Sequence, residues 1–373
     1  MRSYDTLNNE QKLLILLSRI SFSDSIESDL RVIVNENIDW YCLVCYAIKN
    51  KVIGFVYYNL DRFGLLDRLP KQIIRLLRFY YIGNSFRNEV YLQEFQKIEK
   101  KFIQEGVTYA PLKGIFFLTD LYKDIPSRSL NDIDCMIDYK QYNVVKQIMQ
   151  EEGYEQTEYD GTDKVYRPIS RKKAVFWNLH MNNAYPFRRE IGNIFCERIN
   201  FDFCFGLDKN NRKVVSNMLC RMSKKNQLNN YDFFIHLCAH LYKEAVNDMW
   251  IWSGSDINLV KFTDLREFSL KYMSINDFYK AVDLAREEGG QILKSIHFSM
   301  FYLKEIFNDG YEEEVINYCN IVDKEYLEYF NENMKFKKNF WERLFSNTNV
   351  DELNQLPQYL QLEKGDIDEK NVK

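Results

Sequence analysis

The chain has no surplus of positive charge. Fifty basic and 54 acidic residues leave a net charge of −4, so the broad electropositive surface that long duplex nucleic acid requires is not expected. No apolar run approaches the roughly 20 residues that span a bilayer, which argues against a membrane protein. The eight cysteines are scattered. Cys42 and Cys45 stand three apart, but no second pair follows to complete a zinc set, and their surroundings read as one face of an amphipathic helix. With no leader-like start, scattered thiols indicate a reducing cytoplasm. No internal repeat is visible.

What is present is ample apolar material, 46% of 373 residues. At this length a single core normally stops growing, so two or three domains are expected. Residues 1–106 read as helical. Gln11 to Leu17 starts one amphipathic element and a long one runs from about Gln72 to Ile103, with a break near Gly83. Residues 107–206 read as a mixed α/β core, in which Lys164–Ser170 and Ala174–Met181 are expected to form a β-meander. Residues 207–345 return to helix, near 212–222, 232–246, 258–269 and 290–307. Residues 346–373 read as a polar, frayed tail.

The informative stretch is Asn131-Asp132-Ile133-Asp134-Cys135-Met136-Ile137. As a strand it turns Ile133, Cys135 and Ile137 to one face and Asp132, Asp134 and Met136 to the other. Two carboxylates on one strand face repel each other, and a divalent cation with oxygen ligands relieves the repulsion. A further acid is expected on a neighbouring strand. Arg198 to Phe205 alternates cleanly, with Ile199, Phe201, Phe203 and Phe205 on one side and Asp202 alone among the acids on the other. Glu197 falls on the apolar side, so Asp202 is preferred.

Upstream, Val107 to Leu112 reads as a short buried strand and Ile115 to Tyr122 as a helix. Lys113-Gly114 lies at the junction, where a glycine lets a phosphate approach the backbone and a lysine adds a point charge. Arg128 is a second candidate cation. His236 and His240 are one helical turn apart, a spacing that can bind metal. No glutamate stands between them in the zinc-protease pattern, and they read as packing or hydrogen-bonding residues where two regions meet. His180 reads as facing the cleft. Asp264 and Lys261 read as a surface ion pair.

The order of strand, glycine at a helix start, Asp-x-Asp strand, helix, then a strand with an acid between apolar residues resembles the polymerase β-like nucleotidyltransferase fold. More narrowly, Leu112-Lys113-Gly114, Tyr122, Arg128 and Asp132-Ile133-Asp134 resemble a family of uncharacterised bacterial nucleotidyltransferases with a Leu-Lys-Gly motif. So do Asp39-Trp40, Leu69-Pro70, Arg87-Asn88, His236-x-x-x-His240 and Asp264-Leu265. The resemblance spans about Asp39 to Phe268. The chain departs from the wider superfamily, which usually has Gly-Ser or Gly-Gly where Lys113-Gly114 stands. It also departs from the narrower family, which often has Glu-x-His near the Asp202 position.

The resemblance implies an α+β fold, a nucleotidyltransferase core of mixed sheet and helices flanked by helical regions. It implies Mg2+, or Mn2+ in its place, held by Asp132, Asp134 and Asp202, and a nucleoside triphosphate gripped by Lys113, Gly114 and Arg128. The reaction would move a nucleoside monophosphate to an acceptor hydroxyl with release of pyrophosphate. The acceptor, whether small molecule, peptide, protein or RNA, is open. The alternatives are a binding module without turnover on the same fold, and a toxin-like enzyme acting on transfer RNA.

Overall fold

The computed structural model describes residues 4–122, 127–160, 163–180, 182–207, 212–223, 226–289, 291–331, 334–355 and 357. Four short helices come first: α1 (Asn9–Leu17), α2 (Asp24–Ile33), α3 (Trp40–Lys49) and α4 (Ile53–Arg62). Their starts are encoded locally. Asn8 and Gln11 form a reciprocal capping box on α1, and the Asp39 carboxylate accepts from the Tyr41 and Cys42 amides at the start of α3, satisfying N–H groups that a helix end leaves open.

Helix α5 (Lys71–Gln104) follows Pro70 and runs 34 residues without interruption. The expected break at Gly83 is absent. Glycine there leaves room for a side chain from elsewhere in the fold, since a Cβ at Gly83 would stand 3.3 Å from the Phe195 ring. The buried residues of α5 divide in two. Ile73 and Leu77 join one core, and Tyr91, Phe95, Ile98 and Phe102 join another. Between them Asn84 and Asn88 are buried instead, and both side-chain amides donate to the Arg128 carbonyl, at 3.2 and 2.9 Å.

The middle of the chain forms a six-stranded mixed sheet: β1 (Tyr109–Pro111), β2 (Ile133–Ile137), β3 (Glu155–Asp160), β4 (Val165–Pro168), β5 (Phe187–Asn193) and β6 (Cys196–Cys204), in the order β1-β2-β6-β5-β3-β4. Among the described residues only the β2–β6 pair is parallel. Helices α6 (Lys113–Thr119), α7 (Tyr142–Glu151) and α8 (Arg171–His180) punctuate it. Helix α8 replaces the strand expected over 174–181. Ser170 starts it, its carbonyl accepting from the Ala174 amide at 3.0 Å and its hydroxyl from the Lys173 amide at 3.2 Å. The run Ala174-Val175-Phe176-Trp177 fits either period, and the cap decides for helix. Strands β3 and β5, too polar to announce themselves by alternation, complete the sheet.

The remaining helices are α9 (Arg212–Cys220), α10 (Asn230–Ala245), α11 (Asp248–Trp252), α12 (Leu259–Tyr272), α13 (Ile275–Glu288), α14 (Ile292–Ile306), α15 (Tyr311–Cys319) and α16 (Phe340–Phe345), with a two-stranded ribbon of β7 (Tyr329–Phe330) and β8 (Met334–Lys335). Helices α9, α10 and α12–α16 share one apolar core with α1–α4, so the first and last parts of the chain pack together. The second core lies between the far face of the sheet and the later turns of α5. The start of the expected tail is held rather than frayed. Asn349 is buried and donates to Asp256 at 3.1 Å, and buried Glu352 accepts from the Lys338 amide at 2.9 Å. Residues 358–373 lie outside the described residues.

Candidate active site

Alternation along β2 and β6 divides their side chains as their sequences predict. Ile133, Cys135, Ile137, Ile199, Phe201 and Phe203 belong to the second core, while Met136 and Cys204 face the helical one. Asp134 lies directly opposite Asp202 in the parallel register, and neighbouring strands run about 4.8 Å apart. Asp132, half-buried, precedes β2 by one residue. The three acids line one cavity of about 140 Å³ between the sheet and α10. Across it stand His236, His240, Lys243 and Glu244 of α10, with Trp177 of α8 and Trp250 of α11 at its walls.

Lys113 is one of two lysines on this cavity, with Lys243 of α10, and it is the one in contact with Asp134. Its Nζ is 2.7 Å from Asp134 Oδ1 and 2.7 Å from His240 Nε2. An ammonium has no lone pair, so it donates to His240, whose imidazole must be neutral at Nε2. Burial pushes the His240 pKa well below its ordinary value, and the Lys113 charge adds to that. Burial alone would lower the Lys113 pKa too. Asp134, Asp132 and Glu244 outweigh it, and the ammonium is held more firmly than in water. The Lys113 backbone sits at φ +40, in the left-handed region that disfavours a side chain by about 1–3 kcal/mol.

The acids are short of positive charge. Asp134 is 6% exposed, and burial, then Asp132 beside it, raise its pKa against the pull of Lys113. Burial pushes Asp202 up to about 6, although the Asn183 amide donates to both its oxygens at 3.0 Å. Carboxylate oxygens gathered in a buried, electron-rich cavity fit a hard divalent cation in kind. Polar groups with unused capacity line the same space: Asn183 Oδ1 and both ring nitrogens of His236 are buried without a hydrogen-bond partner. Among the described residues no three His, Cys, Asp or Glu side chains are drawn close enough to enclose an ion. Asp134 instead faces the Lys113 ammonium and Asp202 faces Asn183.

Arg128 and Gly114 are placed differently from the phosphate grip expected of them. The Arg128 guanidinium makes a buried fork to Asp264 of α12, with Nε 2.8 Å and Nη2 2.7 Å from Oδ2. The Tyr122 hydroxyl donates to the same carboxylate at 3.1 Å. Asp264, 4% exposed, is therefore no surface residue, and Lys261 pairs with Glu244 instead. Gly114 is buried beneath this network. A Cβ there would stand 2.3 Å from Leu130 Cδ2 and 3.0 Å from Arg128 Nη1. Gly54 of α4 serves the same segment from the other side, since a Cβ there would stand 2.0 Å from the Ser127 carbonyl oxygen. The segment leading into β2 is thus clamped by four helices: α4, α5, α6 and α12.

His240 and His236 were visible as one helix face, but the partner of the first and the isolation of the second were not. Asn183 carries no sequence signal, and Trp177 was hidden by the misread strand. His180 ends α8, and its side chain lies outside the described residues.

A six-stranded mixed sheet flanked by helices, with Asp134 and Asp202 on adjacent parallel strands, fits a nucleotidyltransferase core. The chain belongs to the uncharacterised nucleotidyltransferase family, which it matches over residues 36–308. Comparison with curated proteins and with solved structures gives no match.

Proposed function

We propose that the protein moves a nucleoside monophosphate from a nucleoside triphosphate to an acceptor hydroxyl, with Mg2+ as its cation. The observation that carries this is the juxtaposition of Asp134 and Asp202, contributed by adjacent parallel strands to one buried cavity with Asp132. Asp132, Asp134 and Asp202 would hold the ion. The ion would polarise the phosphates and the attacking hydroxyl.

The chain's own groups account for the rest. Asp202 would accept the proton of the attacking hydroxyl, and the Asn183 amide, donating to both its oxygens, orients it. Lys113 supplies a positive charge for the phosphates as they separate. Trp177 and Trp250 offer flat faces to the rest of the substrate and keep water out. Arg128 acts at one remove, fixing the approach to β2 through Asp264. Transfer of this kind rests mainly on positioning and electrostatics.

A binding module without turnover is the second reading, favoured by the Lys113–Asp134 pair, which leaves Asp134 already neutralised. Incubating the protein with Mg2+, triphosphates labelled at the α-phosphate and a cell extract separates the two. Label carried into an acceptor with equimolar pyrophosphate, and lost in Asp134→Asn, is the expected result. Nucleotide binding with no pyrophosphate from any of the four triphosphates would leave the second reading.

A further inference from the structure

Lys113 stands where the argument for a metal needs a positive charge. Its ammonium is 2.7 Å from Asp134 Oδ1 and acts electrostatically on Asp132 and Asp202 as well. Its side chain is 16% exposed, so water contributes little to its solvation. A buried ammonium beside three acids and a buried divalent ion on the same acids repel each other strongly. The two are therefore alternatives more than partners.

The lysine does not hold this position by its own geometry. Its backbone is in the left-handed region at φ +40, and its second contact comes from another part of the chain, His240 of α10. The neutral imidazole accepts from the ammonium, while Glu244, one turn further on, lies 3.4 Å from the same ring nitrogen and is itself paired with Lys261. A helix face thus presents an acceptor to Lys113 directly across the cavity from the acids.

We propose that Lys113 is a built-in counter-ion that occupies the cation site in the metal-free protein, that His240 is the positioning residue that keeps it there, and that an incoming divalent ion displaces it toward the phosphates. This rests on the assignment of Asp132, Asp134 and Asp202 as the cation site. It assigns Lys113 two stations, one on the acids and one on the substrate. The charge of the acid cluster is then partly offset between turnovers, and the lysine is released as a charge for the triphosphate only when the ion has arrived. A lysine of this kind makes the site select for the ion and nucleotide together, since the ion alone must evict the ammonium without a phosphate to receive it.

The test is Mn2+ binding without nucleotide, read from the free-ion electron paramagnetic resonance signal of the full-length protein, with thermal melting alongside. Lys113→Met should bind Mn2+ at least tenfold more tightly than the unaltered protein. It should melt lower in the absence of metal and recover at saturating Mn2+. His240→Leu, which leaves the lysine in the chain but removes its anchor, should tighten Mn2+ binding severalfold. His240→Gln, which keeps an acceptor, should restore the original affinity. Equal or weaker Mn2+ binding in Lys113→Met, or melting that Mn2+ does not restore, would overturn the proposal while leaving the acid site standing. No Mn2+ binding by any of the proteins would overturn the cation site as well.

Discussion

Strands β2 and β6 face two different environments with alternate residues. On one side Ile133, Cys135, Phe201 and Phe203 meet Tyr91, Phe95, Ile98 and Phe102 of α5 in an apolar layer. On the other, Asp132, Asp134 and Asp202 meet Lys113, His236 and His240 in a cavity. Both sides are buried. The first lowers the free energy of the fold by removing apolar surface from water. The second raises it through desolvated charges, unpartnered ring nitrogens and a lysine at positive φ. The same backbone serves both because side chains alternate along a strand. The apolar layer fixes the register that sets Asp134 beside Asp202, since a slip of one residue would turn all of these groups over.

The comparison can be broken most sharply by touching one side at a time. Asp134→Asn should lower nucleotidyl transfer by about a thousandfold, the scale expected when a transition-state charge loses its stabilising group. Its far-ultraviolet circular dichroism should be unchanged, and transfer at more than a tenth of the original rate would contradict the assignment. Phe203→Ala, one residue along the neighbouring strand and on the opposite face, should do the reverse. It should cost about 3–5 kcal/mol in denaturant unfolding, while the surviving folded protein retains its activity.

Arg128→Met probes the clamp between the two sides. It strands the buried Asp264 carboxylate, and should cost about 3 kcal/mol in the same unfolding measurement. Arg128→Met combined with Asp264→Leu should recover much of that loss, because no charge is then left buried alone. If the double variant were as unstable as the single, the fork would not be the reason for the destabilisation.

The smallest effect concerns His236, 4% exposed. Burial, with Lys113 and Lys243 adding to it, depresses its pKa well below the ordinary value of about 6.5. Above pH 6.5 the imidazole is neutral both folded and unfolded, and its stabilising balance is fully present. Below it the unfolded chain takes up a proton that the folded state refuses, so stability falls as the pH drops. His236→Leu should flatten that acid limb in melting curves taken from pH 7 to 5. It should leave stability at pH 7 unchanged or about 1 kcal/mol higher, because the unpaired ring nitrogens are gone.

The resemblance marked several residues whose structural work can now be named. Asn88 of the Arg-Asn pair and Asp264 of the Asp-Leu pair grip opposite ends of the same residue, the first its carbonyl and the second its guanidinium. Asp39 of the Asp-Trp pair caps α3, and Trp40 is buried behind it. None of these lines the cavity. Asn88 and Asp264 hold the segment through which the chain enters β2. Arg128, expected at the phosphates, has its guanidinium engaged by Asp264 instead.

Period and parity were enough to place both acid strands, the apolar faces behind them and the long helix before them. Those are local properties, set by alternation, by capping residues and by side chains within a few positions of one another. Helix α8 was lost because its apolar run suits two periods, and β3 and β5 because their sequences carry little alternation. The sequence alone determined that acids would share a face. Only the tertiary structure decided what faced them: His240 lies 127 residues from the lysine it holds, and Asp264 lies 136 from Arg128. Partners at such separations are chosen by how the helical core closes around both ends of the chain. No local pattern encodes that closure, because its free energy comes from burying surfaces that are remote in sequence and adjacent only once folded.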